Sequence, residues 1–247
     1  DRDAAFLSGK LDGMLTDYPG ATLLQAKGSR LRLVMETDGS LSLIASKKSN
    51  VRNPDDLKGK NISVSGNTFV EYATDEVMKR ACLHPGEVNK PEINNIPLRL
   101  MMLEDGQISA SFLPGPATAI ALNNGHTALL NTRQMGLRCT GIVFSEKAIT
   151  EKDEEIRRFI TGYNLGVKYL QTRPQNEWTE ILVKEFGLQE KAAMQIDLPD
   201  YRPATRPSYH DIEKIIAWLK SKGAIPDYYP GENLVDTTFI PGTLKPQ

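Results

Sequence analysis

The chain has 247 residues, 40% of them hydrophobic and 25% charged, with a formal net charge of −1. That suits a globular protein of one or two domains with a sizeable core, and so even a charge balance argues against nucleic acid or an acidic membrane surface as a partner. No apolar run approaches the roughly 18 residues of a membrane-spanning helix, and no N-terminal signal peptide is visible.

Taken in order, Asp1 to Leu11 reads as a helix with Ala4, Ala5, Leu7 and Leu11 apolar. Met14 to Thr16 is a short strand, and Pro19 to Lys27 is a helix stopped by Gly28. Leu31 to Met35 and Leu41 to Ala45 are strands joined by a turn at Asp38-Gly39. Asn53-Pro54 starts a short helical turn, because Pro is pre-set for the first helical position and Asn53 can cap it. Ile62 to Val64 reads as a strand. The turn Ser65-Gly66-Asn67-Thr68 leads into an amphipathic helix with Phe69, Tyr72, Ala73, Val77, Met78 and Ala81 apolar. Thr68 or Asn67 is its expected N-cap, with Glu71 placed as in a capping box.

Further strands are expected at Glu92 to Ile96, Ile108 to Leu113, Thr127 to Leu130 and Gly141 to Phe144. Pro97 to Leu103 is a helix ended by Asp105-Gly106, and Pro114-Gly115-Pro116 turns into a helix ending at Asn123-Asn124-Gly125. After Glu151 the pattern becomes helical: Asp153 to Gln171, Asn176 to Phe186 and Tyr209 to Lys222. Tyr201 to Pro207, rich in Pro and Arg, reads as a loop, and the Pro- and Tyr-rich tail carries a short apolar segment at Thr238-Phe239-Ile240.

Part of this order repeats. Gly9 and Gly106, Pro19 and Pro116, and Gly28 and Gly125 are each 97 positions apart. Both runs read helix, Gly turn, strand, Pro turn, helix, Gly stop. Each is an α-β-α unit that must lie on a mostly parallel sheet, which suggests two similar α/β lobes.

The stretch around residue 65 runs a strand straight into a small-residue turn and a helix start. Unpaired backbone N–H groups collect there with the positive end of the helix dipole, a place to hold an anion or a polar group. Capping preference alone also explains Ser65, Asn67 and Thr68. Cys82, on the apolar side of its helix, and Cys139, before a strand, have neither metal-site spacing nor a CxxC motif. They are expected to be buried thiols, with a disulfide left open. His84, His126 and His210 form no paired or HExxH spacing, and no GxSxG elbow, P-loop or dinucleotide fingerprint is present. Asp55-Asp56 and Glu154-Glu155 read as solvated helix starts.

These residues carry a family likeness. Asp56-Leu-Lys-Gly-Lys-Asn-Ile-Ser-Val-Ser-Gly-Asn-Thr68 resembles the "DLKGK-strand-turn" of type 2 solute-binding proteins, the receptors of ABC importers. The nearest branch is the nitrate/sulfonate/taurine and thiamine-pyrimidine (SsuA/THI5-like) group. Ala5-Phe-Leu-Ser-Gly-Lys-Leu-Asp-Gly13 resembles that group's helix-to-strand signature, and Leu103-Glu-Asp-Gly-Gln-Ile-Ser-Ala110, followed by Leu113-Pro-Gly-Pro116, resembles its second occurrence. The likeness covers about residues 4–170. It departs from the group in two ways. The usual strand-helix-strand unit ahead of the first signature has no counterpart here, and Leu113-Pro-Gly-Pro116 stands where many members carry a Trp-Glu-Pro-like turn, which puts a carboxylate or indole contact there in doubt.

The resemblance implies two α/β lobes with mostly parallel sheets and a helical C-terminal part. Lobe 1 would hold residues 1–45 and 144–247, lobe 2 would hold 46–143, and two crossing strands would hinge them. A small polar or anionic organic solute would bind in the cleft between lobes. Strand C-terminal ends face the ligand in such sheets, which nominates Thr16, Asp17 and Tyr18 from lobe 1. From lobe 2 it nominates Ser65, Gly66, Asn67, Thr68 and Phe69, with Pro114 and Gly115 beside them. Ser65, Asn67 and Thr68 would donate hydrogen bonds. Tyr18 or Phe69 would pack on an apolar part of the ligand, and Asp17 would accept from an amine or ring N–H. No cofactor and no metal are expected. The partners would be the solute and a membrane permease, with the receptor a monomer that is periplasmic or otherwise extracytoplasmic and membrane-anchored. An enzyme on the same fold and the sensing domain of a LysR-type regulator are the alternatives. The first needs a convergent acid or base, the second a helix-turn-helix ahead of residue 1.

Overall fold

The computed structural model describes residues 2–194 and 200–240. It divides into two compact units: Asp1–Gly39 with Arg138–Thr172 and Asp200–Gln247, and Ser40–Leu137 with Arg173–Pro199.

The first unit is built on a three-stranded sheet of β1 (Gly13–Asp17), β2 (Leu31–Thr37) and β7 (Thr140–Ser145), in the order β1-β7-β2. Strands β1 and β2 run the same way, but β7 lies reversed between them, so both ladders are antiparallel. Helices α1 (Arg2–Leu7) and α2 (Tyr18–Ala26) flank β1, and α6 (Glu146–Glu151), α7 (Asp153–Thr172) and α10 (Tyr209–Ser221) complete the unit. Val34, Met35, Phe144, Ala148, Ile156 and Ile160 form its core. The expected apolar segment of the tail closes that core through Phe239 and Ile240. The open edge of β2 is covered by backbone rather than left bare: Leu33 exchanges bonds with Leu234 and Asp236, and Glu36 N–H donates to Thr205.

The second unit carries a four-stranded sheet of β3 (Leu41–Ala45), β4 (Ile62–Ser63), β5 (Ala110–Pro114) and β6 (Thr127–Asn131), in the order β4-β5-β3-β6. Here β3 is the reversed strand, and β4–β5 is the parallel pair. Strand directions are therefore mostly parallel, while the ladders are mostly antiparallel, because a reversed strand sits inside each sheet. Helices α3 (Phe69–Arg80), α4 (Ile96–Asp105), α5 (Gly115–Asn123), α8 (Gln175–Phe186) and α9 (Glu190–Met194) belong to this unit. Ile44, Leu103, Ile108, Leu113, Ala117 and Ala121 form its core. The strand expected at Glu92 to Ile96 is absent. Asn89 and Glu92 make single bridges to Asn61 and Val64, and the chain then turns at Asn95 into α4.

The repeat is visible residue for residue. Strands β1 and β5, and helices α2 and α5, have the same lengths and begin and end 97 positions apart. Gly9, Gly28, Gly106 and Gly125 all hold positive φ, the left-handed turn that ends a helix without a Cβ penalty.

Cys139 is buried and free as expected, but Cys82 is exposed and free. Helix α3 ends at Arg80, and Cys82 lies past it at φ 53, where helical periodicity no longer decides burial. Among the described residues no helix is long and apolar enough to cross a membrane.

Candidate functional site

In the first unit the C-terminal ends of β1 and β2 lie at one edge, beside the start of β7. Thr16 is buried in β1. Asp17 caps α2, its Oδ1 accepting the Gly20 N–H at 2.7 Å. Tyr18 is fully buried, and its hydroxyl donates to Glu36 Oε2 at 3.0 Å. Its ring lies in the core.

Sequence reasoning missed the charged network behind Tyr18. Glu36 and Asp38 are both buried at the end of β2. Arg202 donates to both, Nη2 to Glu36 Oε1 at 2.7 Å and Nε to Asp38 Oδ1 at 2.9 Å, and its backbone N–H reaches Asp38 Oδ2 at 2.8 Å. Arg138 adds a second contact to Asp38 Oδ1 at 2.8 Å. Burial works against the charge on Arg202, but these bonds hold its pKa above the ordinary guanidinium value. Burial, then the nearby Asp38 charge, pushes Tyr163 up to about 12. The hydroxyls of Thr37 and Thr140 meet at 2.9 Å beside this cluster. The available signal was two acids, Glu36 and Asp38, just after the apolar run Leu33-Val34-Met35.

In the second unit the parallel strands β4 and β5 put residues 65–68 and Pro114-Gly115 at one sheet edge. The expected donors there are largely spent inside the protein. Ser65 Oγ donates to Asn94 Oδ1 at 2.7 Å, and Asn94 donates onward to Glu92 Oε1 at 3.1 Å. Thr68 caps α3, and its hydroxyl donates to the Ser65 carbonyl at 2.8 Å. Asn67 takes the left-handed conformation, φ 55, and its N–H donates to Glu71 Oε2 at 2.7 Å. The capping carboxylate therefore reaches one residue further back than the expected box. Glu71 is buried and pairs with Lys90. A Cβ on Gly66 would stand 2.8 Å from the Glu92 carboxylate. Two carboxylates thus border the turn that the sequence marked for an anion. Phe69, 2% exposed, packs in the core.

The start of α5 is different. Pro114 holds the N-cap position and no side chain caps the helix, while the Cβ direction of Gly115 meets nothing within 4 Å. In the same unit, Arg99 lies in the helix that the sequence placed at Pro97 to Leu103. It is 2% exposed, and its Nη1 donates to the Phe112 carbonyl at 3.0 Å.

His126, buried in the same unit, receives the Lys47 N–H on Nδ1 at 3.0 Å and has Nε2 2.9 Å from Glu104 Oε2. No nucleophile accompanies this pair in the contacts described. Among the described residues no cluster of His, Cys, Asp or Glu is arranged to hold a metal ion.

Several solved structures share the fold. The aliphatic sulphonate binding protein SsuA from Escherichia coli superposes with a TM-score of 0.79 at 14% identity, over 100% of this chain and 82% of that one. SsuA from Xanthomonas axonopodis pv. citri, bound to MOPS, gives 0.76 at 18% identity, over 91% and 80%. The desulfurization enzyme DszB gives 0.67 at 12% identity, over 92% and 83%. No curated protein sequence matches significantly. The model of the family described as "NMT1/THI5 like" matches residues 1–177, and the chain belongs to that family.

Proposed function

We propose that this protein is the substrate-binding receptor of an ABC importer and captures a small polar or anionic organic solute. The observation that carries this reading is the duplicated α-β-α unit, which sets a strand end against a helix start at each sheet edge. The match to sulfonate-binding proteins supports it. Thr16 and Asp17 in the first unit, and the 65–68 turn, Pro114 and Gly115 in the second, are the candidate binding residues of this reading. A membrane permease would be its partner, and its place would be extracytoplasmic.

The test is native mass spectrometry of the freshly purified chain, followed by a thermal-shift panel of sulfonates, nitrate, bicarbonate and aminopyrimidines. A solute that binds the folded state preferentially raises Tm with its concentration. The fold match to DszB favours a second reading, an enzyme on the same scaffold. Steady turnover of a panel compound, without stabilisation by any of them, would overturn the receptor reading in favour of the enzyme.

A further inference from the structure

The chain passes between the two units four times, at Gly39–Ser40, Leu137–Arg138, Thr172–Arg173 and Pro199–Asp200. On the first unit's side these passages are tied to one another. Asp38, one residue before the first passage ends, is buried. Its carboxylate accepts Arg138 Nη1 at 2.8 Å, from the residue that opens the return of the chain after the second passage. It also accepts the Arg202 backbone N–H at 2.8 Å and Arg202 Nε at 2.9 Å, just after the fourth. The Thr37 and Thr140 hydroxyls join the first two passages again at 2.9 Å. Gln171 Nε2 donates to the Tyr201 carbonyl at 2.8 Å, which joins the third passage to the fourth.

A buried carboxylate held by two guanidinium groups and a backbone N–H is a strong fixture, because charge-assisted bonds exceed neutral ones. The second unit has a fixture of its own. Thr132 is fully buried. The Leu41 N–H donates to its Oγ1 at 3.1 Å, its own N–H to the Leu41 carbonyl at 2.9 Å, and the Leu137 N–H to its carbonyl at 2.9 Å. Between the two fixtures remain Gly39 and Ser40 on the first passage and the Leu137–Arg138 link on the second. Gly39 and Ser40 make no hydrogen bond among the described residues. A Cβ on Gly39 would stand 2.8 Å from Thr140 Oγ1, so glycine lets the two passages lie this close while leaving its own backbone the widest freedom. A few such residues are enough to absorb the φ/ψ change of a domain rotation.

We propose that the Asp38 clasp and the Thr132 tie confine rotation between the two units to two short links on the first two passages, Gly39–Ser40 and Leu137–Arg138. The Gln171–Tyr201 bond makes the other two passages move as a pair at the first unit. This inference rests on the receptor reading, in which a solute closes two lobes. It adds the links that bend and the residues that limit them, none of which is a candidate ligand residue.

The test uses the full chain without solute. Spin labels go on Cys82, exposed in the second unit, and on Lys10→Cys, exposed in the first, while Cys139 stays buried and unlabelled. Pulsed electron spin resonance reads the distance distribution between the labels in this parent, in Asp38→Asn and in Arg138→Met. Both variants should broaden it, because each loosens the clasp and leaves Thr132 untouched. Amide hydrogen exchange, resolved by NMR, is the second readout. In the parent, Ser40 should exchange at least about tenfold faster than Leu41 and Leu137, whose N–H groups are bonded. In Asp38→Asn the Arg202 amide should lose at least about tenfold of its protection, the scale of a lost charged hydrogen bond, while Leu41 and Leu137 keep theirs. If Asp38→Asn does not fold, Arg138→Met decides, because that side chain is 42% exposed. A distribution of parental width in the variants would overturn the proposal, and so would protection at Ser40 equal to that at Leu41. Protection lost throughout β2 and β7 with an unchanged distribution would also overturn it, since Asp38 would then only stabilise its own unit. Because no solute is added, a panel without any binder removes the receptor reading and leaves this result standing, whereas a binder with unbroadened variants removes the hinge alone.

Discussion

The Tyr18 hydroxyl donates to Glu36 Oε2 at 3.0 Å, inside the first unit. This joins the first residue of α2 to the end of β2, the strand that follows it. Tyr18→Phe keeps the ring and its packing but leaves a buried carboxylate short of one donor. The expected cost is about 1–3 kcal/mol, read as a lower urea midpoint. An unchanged midpoint would mean that Arg202 alone satisfies Glu36.

The same tyrosine sets an alkaline limit. Burial, then the Glu36 charge, raises the Tyr18 pKa well above 10.0. Burial raises Tyr229 to about 12, and Tyr163 reaches a similar value. An unfolded tyrosine ionises near its ordinary value of about 10. The folded state therefore binds these protons more tightly. The resulting stability is complete below about pH 10 and falls as pH rises above it. Urea midpoints measured from pH 8 to 11 should fall above pH 10, and Tyr18→Phe should flatten that limb. A limb of equal slope in the variant would remove Tyr18 from the account.

How far the sequence reached depends on the range of the interactions. The repeat was legible because each copy is punctuated by residues whose role in the backbone is local, with Gly at left-handed helix ends and Pro in the first helical turn. The bounds of β1, α2, β5 and α5 followed within a residue or two. The strand expected at Glu92 to Ile96 failed because β-type residues there make only single bridges, and Asn95-Ile96-Pro97 starts a helix instead. The Tyr18–Glu36–Arg202 network was out of reach. It joins residues distant in sequence, and Arg202 comes from a loop that read as irregular. The burial of Arg99 was out of reach for a similar reason, because the Phe112 carbonyl that it meets lies on a later strand. Thr68 was one of two expected caps, with Asn67, but pattern alone could not show that its hydroxyl and that of Ser65 donate inside the protein.

Arg202 bridges two buried acids, so its loss should be felt strongly. Arg202→Met leaves Glu36 with the Tyr18 hydroxyl and Asp38 with Arg138. Removing one partner of a buried pair costs about 3–5 kcal/mol. Arg202 keeps 39% of its side chain exposed, so about 2–3 kcal/mol is expected here after screening. Arg202→Lys, a point charge without the planar fork, should recover only part of that loss. Equal midpoints for the lysine variant and the wild type would show that charge alone suffices.

Two glycines should respond in opposite ways to alanine. Gly141 faces Thr16 of β1 on one side and Glu36 of β2 on the other. A Cβ there would stand 2.6 Å from the Met35 carbonyl oxygen and 2.8 Å from Leu33 Cδ1. The leucine could turn away, but the carbonyl is fixed by the sheet, so Gly141→Ala should cost about 1–3 kcal/mol through overpacking. Gly162 lies on the exposed side of α7, and a Cβ there meets nothing within 4 Å. Gly162→Ala should therefore stabilise by about 0.5–1 kcal/mol, the helix-propensity difference between the two residues. Thermal melts of both variants against the wild type check the pair. A stabilised Gly141→Ala would show that β7 can shift between its neighbours, and the close packing of that sheet edge around Glu36 would have to be abandoned.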